Sequence, residues 1–345
     1  MTISIIIPVY KSETYIRRCV ESVIEQESDT YTIECILVDD CSPDKSMEIA
    51  EEVVEKYKGD NISFVLLRHE KNKGVSAARN TAISVSTGDF LFFLDSDDEI
   101  SENALKYLFS FILDHPHVDM VMGNMLWMEQ KFLSNAPVTS NKNTPYMIED
   151  KAMILEMVLR RKIDRHVMNK LIRRSIILEN QIYFDEEVSI FEDVIWTYRM
   201  FSSLSSMLIA PAFTYKYEQN SFSIMHTTVQ RAKQMVDSLI IVSEYVFRNP
   251  PILNGKTIHY VAHRLFVSHW LIKAIDVNEQ FHLNSDLYSR FISLRRAMFI
   301  DALKHVRPFL ALYFLIMYAP LKSLIKFRWF RSNLYKIAKV VYQIS

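Results

Sequence analysis

Phe90-Leu91-Phe92-Phe93-Leu94-Asp95-Ser96-Asp97-Asp98 is a run of five apolar residues broken off by four polar ones, three of them acids. Such a run, aromatic and without helical spacing, reads as a strand buried on both faces. A strand of this kind belongs to a parallel sheet covered by helices, and open sheets of that class hold their ligands at the carboxyl ends of the strands. Taken alone, the acidic tetrad reads first as a capped turn before a helix near Ser101, because acids favour the positive end of a helix dipole. Its neighbours decide otherwise.

The same pattern repeats upstream. Short β-branched runs at Ser4 to Pro8, Ile33 to Val38 and Ile62 to Leu67 alternate with helical patterns at Tyr15 to Glu25, Met47 to Tyr57 and Val75 to Val85. This alternation predicts βαβ units, an α/β fold and a mostly parallel sheet flanked by helices. Each strand also ends in polar residues, at Pro8-Val9-Tyr10, Asp39-Asp40, Arg68-His69 and Asp95-Ser96-Asp97. Ser42-Pro43-Asp44 offers a cap, a first-turn proline and a first-turn acid for the second helix, and the Asn72-Lys73-Gly74 turn precedes the third. A helix over Glu102 to Leu113 and an apolar run at Val118 to Met122 extend the layers, and 129–148 reads as a surface loop.

With 345 residues, 49% of them hydrophobic, the chain can bury one large core or two ordinary ones. It has five glycines and neither Gly-rich phosphate motif, so a nucleotide must be held in another way. Cys19, Cys35 and Cys41 form an odd set without CxxC spacing, which fits a reduced, cytosolic setting. The apolar run Ile3 to Val9 is too short for a signal-peptide core.

At the strand ends, Asp95 and Asp97 are hard oxygen ligands suited to Mg²⁺ or Mn²⁺, which favour a few carboxylates with phosphate and water. Asp39-Asp40 offers acceptors for nucleobase N–H groups, and Asn72-Lys73-Gly74-Val75-Ser76-Ala77-Ala78-Arg79-Asn80 supplies amide and cationic donors. Tyr10, just past a strand, is placed to stack on a base.

In order and spacing these blocks resemble the family 2 glycosyltransferases, an inverting group with the GT-A fold. The residues that carry the resemblance are Ile5 to Tyr10 with Glu13, Val38 to Asp44, Asn72 to Asn80, Thr87-Gly88-Asp89 and Phe93 to Asp98. The resemblance implies a nucleoside pocket of Pro8, Val9, Tyr10, Glu13, Asp39 or Asp40, and Arg79, with Lys73 beside it. It gives Asp95, Ser96 and Asp97 to the ribose, diphosphate and metal, Asp95 and Asp97 being the metal ligands. Further on, Phe184 to Asp193 resembles the family's acceptor-side block, and Asn169 to Arg174 its Lys-Leu-aromatic-Arg segment with Ile172 in place of the aromatic. The expected function is transfer of a sugar from a nucleotide diphosphate donor, UDP-linked, to a saccharide or lipid-linked saccharide hydroxyl, with Asp193 as the base. An inverting transfer needs one such base, and a carboxylate of near-normal proton affinity would serve.

Tyr215 to Ile224 resembles a later Tyr-rich block of the family, but without its Arg, and reads as a surface strand; Lys216 and His226 stay open there. His259 and His263 share a helix face at zinc-binding spacing without a third ligand, so a hydrogen-bonded face is the simpler reading. No acid follows Asp301, and the basic, aromatic stretch 302–345 suits a membrane interface, with packing on the catalytic domain as the alternative. The expected organisation is a catalytic domain over 1–228, divided into a donor half at 1–100 and an acceptor half at 101–228, then a helical C-terminal region over 229–345. Peripheral attachment at the cytoplasmic face of the inner membrane is expected, and nucleic acid binding is not. Two other readings remain open: an inactive sugar-nucleotide-binding scaffold subunit, and a nucleotidyltransferase. The latter normally needs a basic Gly-rich loop after the first strand, which Pro8 to Glu13 does not supply.

Overall fold

The computed structural model describes residues 1–127, 144–159, 162–188 and 190–218, with seven scattered positions between 234 and 293. The chain divides into two compact units, Met1–His226 and Thr227–Ser345, and the architecture below is that of the first. His226, His259, His263 and the 302–345 tail lie outside the described residues, as does all of the expected helical C-terminal region but those seven positions.

Three βαβ steps open the chain: β1 (Thr2–Val9), α1 (Ile16–Ile24), β2 (Thr32–Asp39), α2 (Ser46–Lys56), β3 (Ile62–Arg68), α3 (Val75–Val85) and β4 (Phe90–Phe93). There follow β5 (Glu99–Ile100), α4 (Ala104–Asp114), β6 (Met120–Trp127), β7 (Tyr146–Ile148), α5 (Lys151–Leu159), β8 (Lys170–Arg173), α6 (Arg174–Glu179), α7 (Glu192–Ser203) and β9 (Met207–Tyr217). The sheet runs β3-β2-β1-β4-β8-β6-β9-β5, with β7 also paired to β9. The β3-β2-β1-β4 half is wholly parallel. Beyond it β8 runs antiparallel to both β4 and β6, while β6 and β9 are parallel. The fold is therefore α/β as expected, its parallel character concentrated in the first half.

Burial follows the sequence pattern. Ile3, Ile5, Ile6, Ile7 and Val9 of β1 and Phe90 to Leu94 around β4 are fully buried, each large side chain contributing about 1.5–3 kcal/mol. Helix α1 covers one face because Ile16, Cys19, Val20 and Val23 recur at helical spacing, and all four are buried. Glu34 is a carboxylate inside a central strand, but Ser4 Oγ, Thr87 N–H and Thr87 Oγ1 all donate to it, which offsets the cost of burying it. The Thr87-Gly88-Asp89 block is thus structural. A Cβ on Gly88 would sit 2.6 Å from Ser4 Oγ and 2.9 Å from Thr2 O, and Asp89 accepts the Thr2 N–H at 2.8 Å.

Two local expectations need correction. Helix α2 begins at Ser46, so Pro43 lies outside it; Asp44 accepts from Ser42 Oγ, Ser46 N–H and Ser46 Oγ, which holds the preceding turn out of the helix. The last part of the expected 129–148 loop is a strand, because Tyr146, Met147 and Ile148 pair antiparallel with Ile209, Leu208 and Met207. Their partner β9 supplies a hydrogen-bonding edge that no local pattern announces.

Candidate active site

Strand order reverses between β1 and β4, the switch point where open sheets of this class form a crevice. Ile6 pairs with Phe93, and the Leu94 N–H donates to Ile6 O. The next donor on β1 facing β4 would be residue 8, and Pro8 has no N–H. The ladder stops there and the strands part just before Asp95. Val9 is buried at the end of β1, whereas Tyr10 is 42% exposed, with the Lys11 ammonium 5.2 Å from its ring centroid. Glu13 accepts from the Lys45 N–H and donates its own N–H to Asp44, both at 3.2 Å, tying the loop after β1 to the loop after β2.

Asp39 and Asp40 are both buried but differ in employment. Asp39 accepts the Ser42 N–H at 2.7 Å, with Arg68 at 3.5 Å. Asp40 accepts the backbone N–H groups of Lys73 and Gly74 at 2.8 and 2.7 Å and meets His69 Nδ1 at 2.8 Å. It anchors the loop entering α3, where Gly74 takes φ 91°, a conformation suited to glycine. Lys73 meets this cluster through its backbone and is exposed.

The acidic turn is a second cluster. Ser96 and Asp98 are buried, and Asp95 and Asp97 are half-buried. Asp98 accepts from Tyr215 Oη at 2.6 Å and from the Glu218 N–H at 2.8 Å, while Tyr215 Oη accepts the Asp95 N–H at 3.1 Å. Asp98 and Tyr215 therefore brace the turn. Tyr215 is fully buried, correcting the expectation of a surface strand, and Lys216 pairs with Glu99 at 3.4 Å. Burial, then the charges of Asp95 and Asp97, push the Asp98 carboxyl up to about 8.

Arg79 links this turn to the first turn of α7. Its side chain is 5% exposed; one terminal nitrogen donates to Asp95 Oδ1 at 2.8 Å and the other to Glu192 Oε1 at 3.0 Å. The guanidinium also lies 5.2 Å from the Phe184 ring centroid. Burial works against its charge, but Asp95, Glu192 and Asp193 more than restore it, so its proton affinity is raised. Beside it Asn80 donates to Phe184 O at 3.0 Å and accepts the Phe184 N–H at 2.8 Å. Phe184 in turn stacks on Trp196 of α7, 4.8 Å between centroids and 7° from parallel.

Asp193, in the first turn of α7, is within electrostatic reach of Asp95, Arg79, His166 and Arg165. Burial pushes its carboxyl up, His166, Arg79 and Arg165 oppose this, and Asp95 adds to it; the net shift is upward. From the sequence, a near-normal proton affinity would have served a base at this position; the buried site raises it. His166 belongs to a hydrogen-bonded knot around the buried Lys170 and Asp164. Lys170, with no exposure, donates to His166 O, Met168 O and Asn169 Oδ1 at 2.6, 3.0 and 2.8 Å, while Asp164 meets His166 Nδ1 at 2.6 Å.

The candidates thus form two clusters, Asp39, Asp40 and Lys73 at one end of α3 and Asp95, Arg79 and Asp193 further along, with Pro8 and Val9 on the strand beside them. Sequence reasoning left unassigned the bracing Tyr215, the bridging role of Glu192, and the Asp164, His166 and Lys170 knot. Tyr215 is called by an apolar strand pattern and Glu192 lies 113 positions from Arg79, so only tertiary placement joins them to the site. Among the described residues no group of three or more His, Cys, Asp or Glu is disposed to hold a metal. Asp95 and Asp97 of the acidic turn are half-buried carboxylates of the kind that, one or two at a time, commonly hold Mg²⁺ together with substrate phosphate.

Residues 4–179 match Glycosyl transferase family 2, and the chain belongs to that family. Among curated relatives, the poly(ribitol-phosphate) beta-N-acetylglucosaminyltransferase TarS of Staphylococcus aureus is 29% identical over 218 residues, 63% of this chain and 35% of that one. The poly(ribitol-phosphate) beta-glucosyltransferase of Bacillus spizizenii is 29% identical over 217 residues, 63% of this chain and 32% of that one. The chain matches about a third of the length of these relatives. In fold it is similar to the crystal structure of S. aureus TarS 1–349 in complex with UDP-GlcNAc, with a TM-score of 0.63 and 19% identity over 99% of this chain and 91% of that one. The fold is accordingly of the GT-A type.

Proposed function

We propose that this chain is an inverting glycosyltransferase that moves a sugar from a UDP-linked donor to a hydroxyl of a saccharide or lipid-linked saccharide in polysaccharide or glycolipid assembly. The observation that carries the reading is the Arg79 bridge, which places the acidic turn at Asp95 beside the first turn of α7, where Asp193 sits. This supports reading the two as donor-side and acceptor-side groups of one displacement. The relatives' names, and a structural neighbour solved with UDP-GlcNAc, support a UDP-sugar.

In this reading residues 1–100 hold the donor and 101–228 the acceptor. Tyr10 stacks on the base, Asp39 accepts its N–H groups, and the opening between β1 and β4 takes the ribose and diphosphate. Asp95 and Asp97 would hold Mn²⁺ or Mg²⁺, which when bound neutralises charge on the departing diphosphate. Asp193 accepts the proton of the acceptor hydroxyl as that oxygen attacks the anomeric carbon from the face opposite the diphosphate. Burial raises its proton affinity, a direction that suits a proton acceptor. The basic, aromatic 302–345 stretch attaches the protein peripherally to the cytoplasmic face of the membrane; deletion of that stretch with unchanged membrane fractionation would exclude this.

The test is a panel of nucleotide sugars with Mn²⁺, read as UDP release and product formation, for wild type, Asp97→Asn and Asp193→Asn. Wild-type turnover lost in both variants is expected. Full activity in both would remove the proposed site.

A further inference from the structure

Arg79 and Asn80 are consecutive residues of α3, yet both reach the segment that leads into α7. Asn80 holds Phe184 through both backbone groups and also donates to Glu186 at 3.0 Å. Arg79 meets Glu192 at the other end of the segment while its second nitrogen holds Asp95. The Arg79 Nε is buried without a hydrogen-bond partner, so its polar partners in the structure are the two carboxylates, and Phe184 lies against its cationic face. A planar fork gripping two carboxylates fixes their separation and orientation more closely than a point charge does.

We propose that Glu192 is a positioning residue: through Arg79 it sets the base-bearing first turn of α7 against the acidic turn of the donor side. This rests on the proposed transfer reaction. Asp193 follows Glu192 directly in the same helical turn, so a shift of Glu192 carries Asp193 with it. The nucleobase end of the proposed donor site, at Asp39, Asp40 and Lys73, has its own anchors, and a change at Glu192 leaves the Arg79–Asp95 bond in place. Loss of Glu192 should therefore lower the rate of transfer while leaving donor affinity in place.

The experiment measures kcat and donor KM with UDP-N-acetylglucosamine or UDP-glucose, whichever wild type turns over, and UDP protection against thermal unfolding, in wild type, Glu192→Gln, Glu192→Asp, Arg79→Lys and Asp193→Asn. Glu192→Gln is expected to lose about a hundredfold in kcat, the scale of a misplacement of about 1 Å, with donor KM and UDP protection close to wild type. Glu192→Asp keeps the charge at shorter reach and should recover part of the loss, which also covers the case where Glu192→Gln does not fold. Arg79→Lys removes the fork and should resemble Glu192→Gln in kcat. Glu192→Gln and Glu192→Asp with wild-type kcat beside an inactive Asp193→Asn would overturn the positioning role alone. So would a loss confined to donor KM. A fully active Asp193→Asn, or a wild type inert toward both sugars, would overturn the reaction beneath it and the positioning role with it.

Discussion

Trp196→Ala should cost this unit a large share of its stability, and the structure says how much. Trp196 has no exposure, stacks on Phe184 at 4.8 Å, meets Phe93 edge-on at 5.1 Å and donates its indole N–H to Ile182 O at 3.1 Å. Truncating a buried tryptophan to alanine costs about 3–5 kcal/mol through lost burial and the cavity left behind. Losing the indole donor from a buried carbonyl adds about 1 kcal/mol. Much of the aromatic pairing is already counted in the first figure, so the total is about 4–6 kcal/mol, against the roughly 5–15 kcal/mol that holds a domain folded. With a urea dependence of about 2–3 kcal/mol per molar, the midpoint of unfolding by far-ultraviolet circular dichroism should fall by about 2 M. Trp196→Phe keeps a ring against Phe184 and should fall less than half as far. A drop under about 0.5 M for Trp196→Ala, or equal drops for the two variants, would show that the stack does not secure α7.

Asp193→Asn should lower transfer by about 10²–10⁴-fold, the usual worth of a positioned base, with UDP still protecting the protein in a thermal shift assay. Burial pushes the Glu34 carboxyl up, but hydrogen bonds from Ser4 and Thr87 outweigh it and its proton affinity is lowered on balance. Its stabilisation is thus present above the ordinary carboxylate range and is lost as pH falls through that range to the depressed value; the gap in midpoint between wild type and Glu34→Gln should be wide at pH 7 and narrow toward pH 3, and a gap independent of pH would contradict this. Gly123→Ala should destabilise by about 1–3 kcal/mol, because the added Cβ would meet the Thr214 side chain, its Cβ included at 2.8 Å; an unchanged melting temperature would show that β6 and β9 can part without cost.

The first hundred residues were readable because each strand carries its own evidence. Phe90 to Leu94 is apolar because both faces of the sheet are covered, and the acids begin where that cover ends. The later half is less so. Tyr146 to Ile148 reads as loop because its pairing edge, β9, lies some sixty positions on. Arg79 could be matched to a family block, yet its reach to Glu192 depends on where α7 packs, which no local pattern encodes. Lys170 shows the same limit. Lysine is by type a surface residue, and its complete burial follows from three acceptors that the chain folds around it. The three cysteines are free, as their spacing suggested, with Cys41 alone exposed. No helix among the described residues is long and apolar enough to cross a membrane.

Pro8 makes the depth of the opening a property of the backbone. Where a ladder ends sets how far two strands stay zipped, so the floor lies at a fixed rung, and rungs come in steps of about 3.3 Å. Exchanges at Tyr10 or Glu13 can alter what the mouth admits without deepening it. Moving the imino acid one place along would relocate the floor by a whole step and turn it toward β2, since successive residues of a strand address opposite neighbours. In the proposed site, then, residues at the rim would choose what enters while this rung fixes the level at which the reacting bond is presented.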